Sequence, residues 1–247
     1  MVAESVPGTI ALSVPSALLT NAKGQGMGPV GEKCRLLFHT PRAVTRIFPR
    51  MKTLLFSTLL ILTGCSTLPP KNPSNICSIF REKADWYDAA LDAQKNWGVP
   101  VPVQMAIMKQ ESAFVDDARP PRNWFLGIIP LSRPTTAYGY SQATDATWQR
   151  YLDSTGHRGA DRDDFADAVD FIGWYTQQTR HELGIPKTDA YRQYLAYHEG
   201  QTGYRKGRHQ EKPWLLGIAR NVQSNAARYD RQLASCSAEL ADGLDQD

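Results

Sequence analysis

After Cys77 the chain repeats one pattern, apolar residues three and four positions apart with polar ones between, which is the signature of helices laid against a core. Ile79, Trp86, Ala90 and Trp97, with Phe80, Tyr87 and Leu91 beside them, form a broad stripe ending at Gly98, a residue suited to a left-handed cap. Val99-Pro100 separates it from Pro102 to Phe114, a helical run that is mostly apolar before Glu111. Thr144 or Asp145 can cap a helix bearing Trp148, Tyr151 and Leu152. The most regular run follows, with Phe165, Ala168, Val169, Ile172, Tyr175, Thr179 and Leu183 on one face and Gly184 then Pro186 as the stop. Thr188 or Asp189 opens another helix, with Tyr191, Tyr194, Leu195 and His198 inward, and Pro213 starts a last one facing in through Leu215, Ile218, Ala219, Val222, Ala226, Tyr229 and Leu233. No convincing alternating strand pair occurs. The pattern predicts one mainly α domain over residues 76–240, roughly 165 residues and large enough for a real core.

Residues 115–138 interrupt the helical pattern with two acids, four prolines and three arginines, and carry an apolar knot from Trp124 to Ile129. This irregular insert is readable as a strand, a lid over a cleft, a patch touching lipid, or plain packing.

The chain ahead of the helices is different. Residues 1–50 are basic, punctuated by Gly and Pro, and without periodicity. Met51-Lys52, the apolar run Leu54 to Leu62 and then Leu62-Thr63-Gly64-Cys65 read as a short secretory signal, with an apolar core too short to span a bilayer. Leu-Thr-Gly-Cys resembles the lipobox of bacterial lipoproteins. That resemblance implies a signal peptide over 51–64, lipidation of Cys65 as the mature N-terminus, and anchoring at the periplasmic face of the outer membrane, the last suggested by Ser66. Translation is then expected to begin at Met51, with 1–50 an over-extended gene start or a leader, and 65–75 a polar tether holding three prolines.

Removing residues 1–64 takes away seven of the 28 basic and two of the 25 acidic residues, leaving 21 against 23. A net charge of −2 has no basic excess to neutralise phosphates, which argues against nucleic acid as the main partner. Of four cysteines, Cys77 and Cys236 remain as a pair, and in an exported chain one disulfide tying the domain's two ends together is the natural reading.

Glu111 is the candidate for the chemistry. Ile107 and Met108 lie four and three residues before it, on its own helix face, so its carboxyl is expected on the buried side. A carboxyl in apolar surroundings is harder to ionise, and its pKa rises toward the range where a neutral acid donates a proton near pH 7. By itself the stretch reads first as a helix-end Glu paired with a Lys or Arg.

Three short stretches give it company: Glu111-Ser112-Ala113-Phe114, then Ala137-Tyr138-Gly139-Tyr140-Ser141-Gln142-Ala143, then Ala196-Tyr197-His198-Glu199-Gly200. In this order they resemble the soluble-lytic-transglycosylase (SLT) domain, a goose-lysozyme-like fold that cleaves bacterial peptidoglycan. Its Glu-Ser pair is followed by Gly-Leu-Met-Gln and then by Ala-Tyr-Asn-Ala-Gly. The resemblance covers about residues 76–236. It implies a lysozyme-like helical fold, peptidoglycan glycan strands as substrate, Glu111 as catalytic acid and base, and no cofactor. It places Ser112, Tyr140, Ser141, Gln142, Tyr197 and His198 at the substrate, with Gln142 contacting the sugar or its acetamido group and Tyr197 pointing at the catalytic carboxylate. Tyr140-Ser141 in place of Leu-Met, His198-Glu199 in place of Asn-Ala, and a longer interval between Glu111 and Gly139 depart from the family.

Rival chemistry is weaker. Glu199, Asp145 and Asp116 are possible second carboxylates, although cap and surface roles explain such residues equally well. His181-Glu182 and His198-Glu199 lack the His-Glu-x-x-His pattern, so no metal is expected. Tyr204, Arg205, Lys206, Arg208 and His209 form a basic-aromatic stretch, by default a solvated loop and otherwise a surface for peptidoglycan's acidic stems.

Overall fold

A computed structural model describes residues 68–122, 124–125, 129–130 and 132–244, so the 1–50 segment, the 51–64 signal and Cys65 lie outside the described residues. Helix α1 (Ile76–Glu82) starts at Asn75, whose side chain accepts the Ser78 N–H at 3.0 Å. Lys83 then leaves helical geometry before α2 (Ala84–Trp97), so the single stripe read from the sequence is two helices. Gly98 closes α2 at φ 66°, as the pattern predicts.

Helix α3 (Val101–Ser112) follows Pro100, with Pro102 in its first turn where a missing N–H is harmless. Every residue from Val101 to Met108 is buried. A helix apolar on all sides has to be enclosed by others, and α3 is packed among α2, α5, α6 and α7. Helix α4 (Asp145–Thr155) is capped by Thr144, α5 (Phe165–Leu183) by Asp164, and α6 (Ala190–Arg205) by Asp189. A single 3-10 turn, Arg208–Glu211, leads to α7 (Pro213–Leu244). The apolar knot is a minimal antiparallel pair, β1 (Trp124–Phe125) with β2 (Ile129–Pro130).

An aromatic cluster fixes the parts that matter for function. Trp86 of α2 stacks on Phe165 of α5 at 4.0 Å, and Tyr140 meets both edge-on at 5.6 and 5.7 Å. Phe114, just past α3, lies 6.0 Å from Trp86. The end of α3 and the 139–142 loop are therefore held by one set of rings. Close approach of α2 and α5 depends on Gly173, where a Cβ would lie 2.6 Å from the Trp97 ring.

Cys77 of α1 and Cys236 of α7 are disulfide-bonded across a separation of 159 residues. The bidentate Arg81–Glu239 pair lies at the same end. Residues leading into α1, part of the expected tether, also touch α7: the Tyr229 hydroxyl donates to the Pro73 carbonyl and the Gln232 amide to that of Ser74.

Candidate active site

Glu111 lies in the last turn of α3 and is partly buried. Loss of hydration pushes its carboxyl up to about 8, against one opposing effect, a hydrogen bond from Tyr194. The carbonyl end of the helix dipole acts in the same direction as burial, since it disfavours negative charge. Oxygen Oε1 is buried with no hydrogen-bond partner. Tyr194 is itself buried, and burial together with the facing Glu111 holds its hydroxyl far above the usual range, so it stays a donor.

Burial, and after it the charge of Glu111, hold the Tyr197 hydroxyl well above its usual range. That hydroxyl donates to the Ser141 carbonyl at 2.7 Å, and the Tyr197 ring packs on Tyr175 at 4.9 Å. Glu111 acts on both hydroxyls, and that of Tyr194 is the one that favours its ionised form. Tyr194 was visible in the sequence as an inward residue one helical turn earlier, with nothing to distinguish it from its neighbours.

The 139–142 loop is tightly constrained. Gly139 has φ 76°, and a Cβ there would sit 2.0 Å from the Arg162 carbonyl oxygen. That carbonyl accepts the Tyr140 N–H at 3.1 Å, and the Arg162 guanidinium bonds the carbonyls of Thr136 and Ala143 at 3.1 and 2.9 Å. Arg162 thus clamps the loop from both sides, a role its sequence neighbourhood does not signal. Both amide hydrogens of Gln142 are committed, to the carbonyls of Ala118 and Gly139 at 2.8 Å each. A ligand can meet only its Oε1 end, as an acceptor.

Ala113, Phe114 and Gln142 are the non-glycine residues with positive φ among the described residues. All three fall in the first two motifs. Left-handed backbone at such residues costs about 1–3 kcal/mol each and persists where surroundings enforce it, commonly at functional sites.

Three of the residues expected at the substrate have other work. The Ser112 hydroxyl is engaged by the end of its own helix, donating to the Met108 carbonyl at 3.3 Å and accepting the Phe114 N–H at 3.2 Å. The Tyr140 ring belongs to the aromatic core, 1% exposed. Ser141 is fully buried; its carbonyl holds Tyr197 while its hydroxyl lacks a partner. These residues shape the site from behind.

His198 is buried, with Nδ1 3.2 Å from Glu199 Oε1 and Nε2 unpartnered. Glu199 in turn accepts from Lys212 at 2.6 Å, and Asp145 pairs with Arg162 at 2.8 Å. The Asp116 carboxylate accepts the Asp117 N–H at 2.8 Å. None of these three candidate second carboxylates is among the groups acting on Glu111. Gly200, at φ 71° and ψ 155°, breaks the helical geometry of α6 at the end of the third motif, and a second helical segment runs on from it to Arg205. Beyond it, Tyr204 stacks on His209 at 4.4 Å, and Arg205 faces Glu182 at 3.5 Å. Among the described residues no group of His, Cys, Asp and Glu is arranged to hold a metal.

The fold and the site together define a mainly α, lysozyme-like domain built around one desolvated carboxyl. Residues 53–236 match the family described as the Transglycosylase SLT domain, and the chain belongs to that family. Members of the family are lytic transglycosylases, and the domain implies peptidoglycan as the substrate bound. No curated protein and no solved structure matches the chain.

Proposed function

We propose that this chain is a lytic transglycosylase that cleaves the β-1,4 bond between N-acetylmuramic acid and N-acetylglucosamine, with Glu111 as both acid and base. The observation that carries the reading is the Glu111 carboxyl, raised to about 8 by burial and without a second carboxylate acting on it among the described residues. Such a group holds its proton at pH 7 and can donate it.

Glycosidases ordinarily need two carboxyl groups, unless the sugar's own acetamido group replaces one of them. In the proposed reaction Glu111 gives its proton to the glycosidic oxygen as the bond from C1 to that oxygen breaks. The N-acetylglucosamine end leaves as an alcohol, and the muramic acetamido oxygen supports C1. The Glu111 carboxylate then takes the proton of the C6 hydroxyl while O6 bonds to C1. A 1,6-anhydro ring closes, the proton returns to Glu111, and no water is consumed. Tyr194 hydrogen-bonds the carboxylate when it forms, Gln142 accepts from the sugar or its acetamido N–H, and Tyr197 holds the loop that carries Gln142.

The lipobox-like Leu62-Thr63-Gly64-Cys65 supports anchoring through Cys65 at the periplasmic face of the outer membrane, next to such a substrate. Digestion of purified sacculi with wild type and Glu111→Gln, followed by mass spectrometry of the muropeptides, tests the reading. Anhydro-muropeptides from wild type alone are expected. Reducing ends would mean a goose-type hydrolase, and no release by wild type would mean a non-catalytic glycan binder.

A further inference from the structure

Trp214 is one of two large hydrophobic side chains exposed among the described residues, and it stands in the first turn of α7 with 39% of its surface open. Its ring lies edge-to-face with His198 at 5.3 Å. His198 follows Tyr194 by four residues on α6, so both lie on one helix face, with a rise of about 6 Å between them. That offset is comparable to one pyranose ring. The exposed indole therefore adjoins the helix face that supplies the carboxyl's donor.

His198 is 8% exposed, and its Nε2 is buried without a partner. Its other nitrogen faces the Glu199 carboxylate, which Lys212 holds at 2.6 Å. A carboxylate only accepts, so Nδ1 carries the hydrogen, and in a neutral ring Nε2 is left as an acceptor. The ring is neutral because burial holds its pKa below the usual value, with Lys212 adding to that and Glu199 opposing it. A buried acceptor with no donor is unfavourable unless a ligand supplies one.

We propose that Trp214 and His198 form a sugar-binding subsite next to Glu111, in which the indole stacks on an N-acetylated pyranose and His198 Nε2 accepts an N–H or O–H of the same sugar. Trp214 is 39% exposed, so the indole keeps open surface beside the His198 ring it touches. Glu199 and Lys212 are positioning residues that fix which ring nitrogen accepts. The proposal rests on the glycan-cleaving reading of the site and adds to it a binding residue outside the three motifs.

The test uses Glu111→Gln protein, which binds without turnover, titrated by calorimetry with N-acetylglucosamine oligomers and with soluble glycan strands. Adding Trp214→Ala is expected to weaken binding about three- to tenfold, while Trp214→Phe restores most of it. His198→Leu is expected to weaken binding by a similar factor, and His198→Gln, which keeps an acceptor, to recover it. The 15N spectrum of the His198 ring should read the Nδ1-protonated tautomer. Unchanged affinity in both Trp214→Ala and His198→Leu overturns the subsite, and if wild type still releases muropeptides the glycan-cleaving reading stands. If Glu111→Gln binds neither ligand and wild type releases nothing, both fail together.

Discussion

The Tyr194 hydroxyl hydrogen-bonds the Glu111 carboxyl and lowers a pKa that burial has raised to about 8. It favours the ionised form, which the second half of the proposed reaction needs. Removing it in Tyr194→Phe should raise the Glu111 pKa further. In wild type kcat/KM should fall as pH rises through about 8, where the acid form is lost. Tyr194→Phe should move that limb upward. Tyr197→Phe should leave the limb in place, since its hydroxyl serves the Ser141 carbonyl.

Glu111 also couples stability to pH. Its folded pKa lies above its ordinary value of 4.5, so the folded state binds the proton more tightly than the unfolded chain. That contribution is complete below about pH 4.5 and is lost as pH rises toward 8. By pH 7 the loss amounts to up to about 3 kcal/mol, and Glu111→Gln should recover part of it. Thermal unfolding should show the inactive variant several degrees more stable than wild type at pH 7, with the gap closing near pH 4.5.

Gly139→Ala should destabilise the protein by about 2–4 kcal/mol, because left-handed strain adds to a steric clash. The new Cβ would meet a main-chain oxygen, that of Arg162, at 2.0 Å, and no flexible side-chain tip can yield. Urea titration should show the lowered midpoint, and activity should fall further than stability alone explains, because the same loop orients Gln142.

Reduction of Cys77–Cys236 frees the two ends of a loop spanning a separation of 159 residues. Chain entropy predicts a loss of up to about 5 kcal/mol for a loop of this length. Thermal melts with and without reductant should show the drop. Below the lowered melting temperature, catalysis should persist, since neither cysteine belongs to the motifs around Glu111.

Much of this protein was legible in the chain because helix periodicity is local. The inward faces of α5 and α7, the caps at Gly98 and Gly184, and the choice of Asp189 or Thr188 and of Thr144 or Asp145 followed from residue type and spacing. So did Glu111, an acid at the end of an apolar helix, for burial alone dictates the direction of its pKa. What periodicity leaves open is how helices rotate against each other. Tyr194 and Tyr197 are three residues apart on α6, about 60° around the axis, and both are inward. Only the seating of α6 against α3 and the 139–142 loop decided that the first meets Glu111 and the second Ser141. The same holds for Glu199, a free-standing acid in sequence that Lys212 neutralises from 13 residues away. It holds for Ser112 and Tyr140 as well, drawn into the helix end and the aromatic core by contacts no local pattern records.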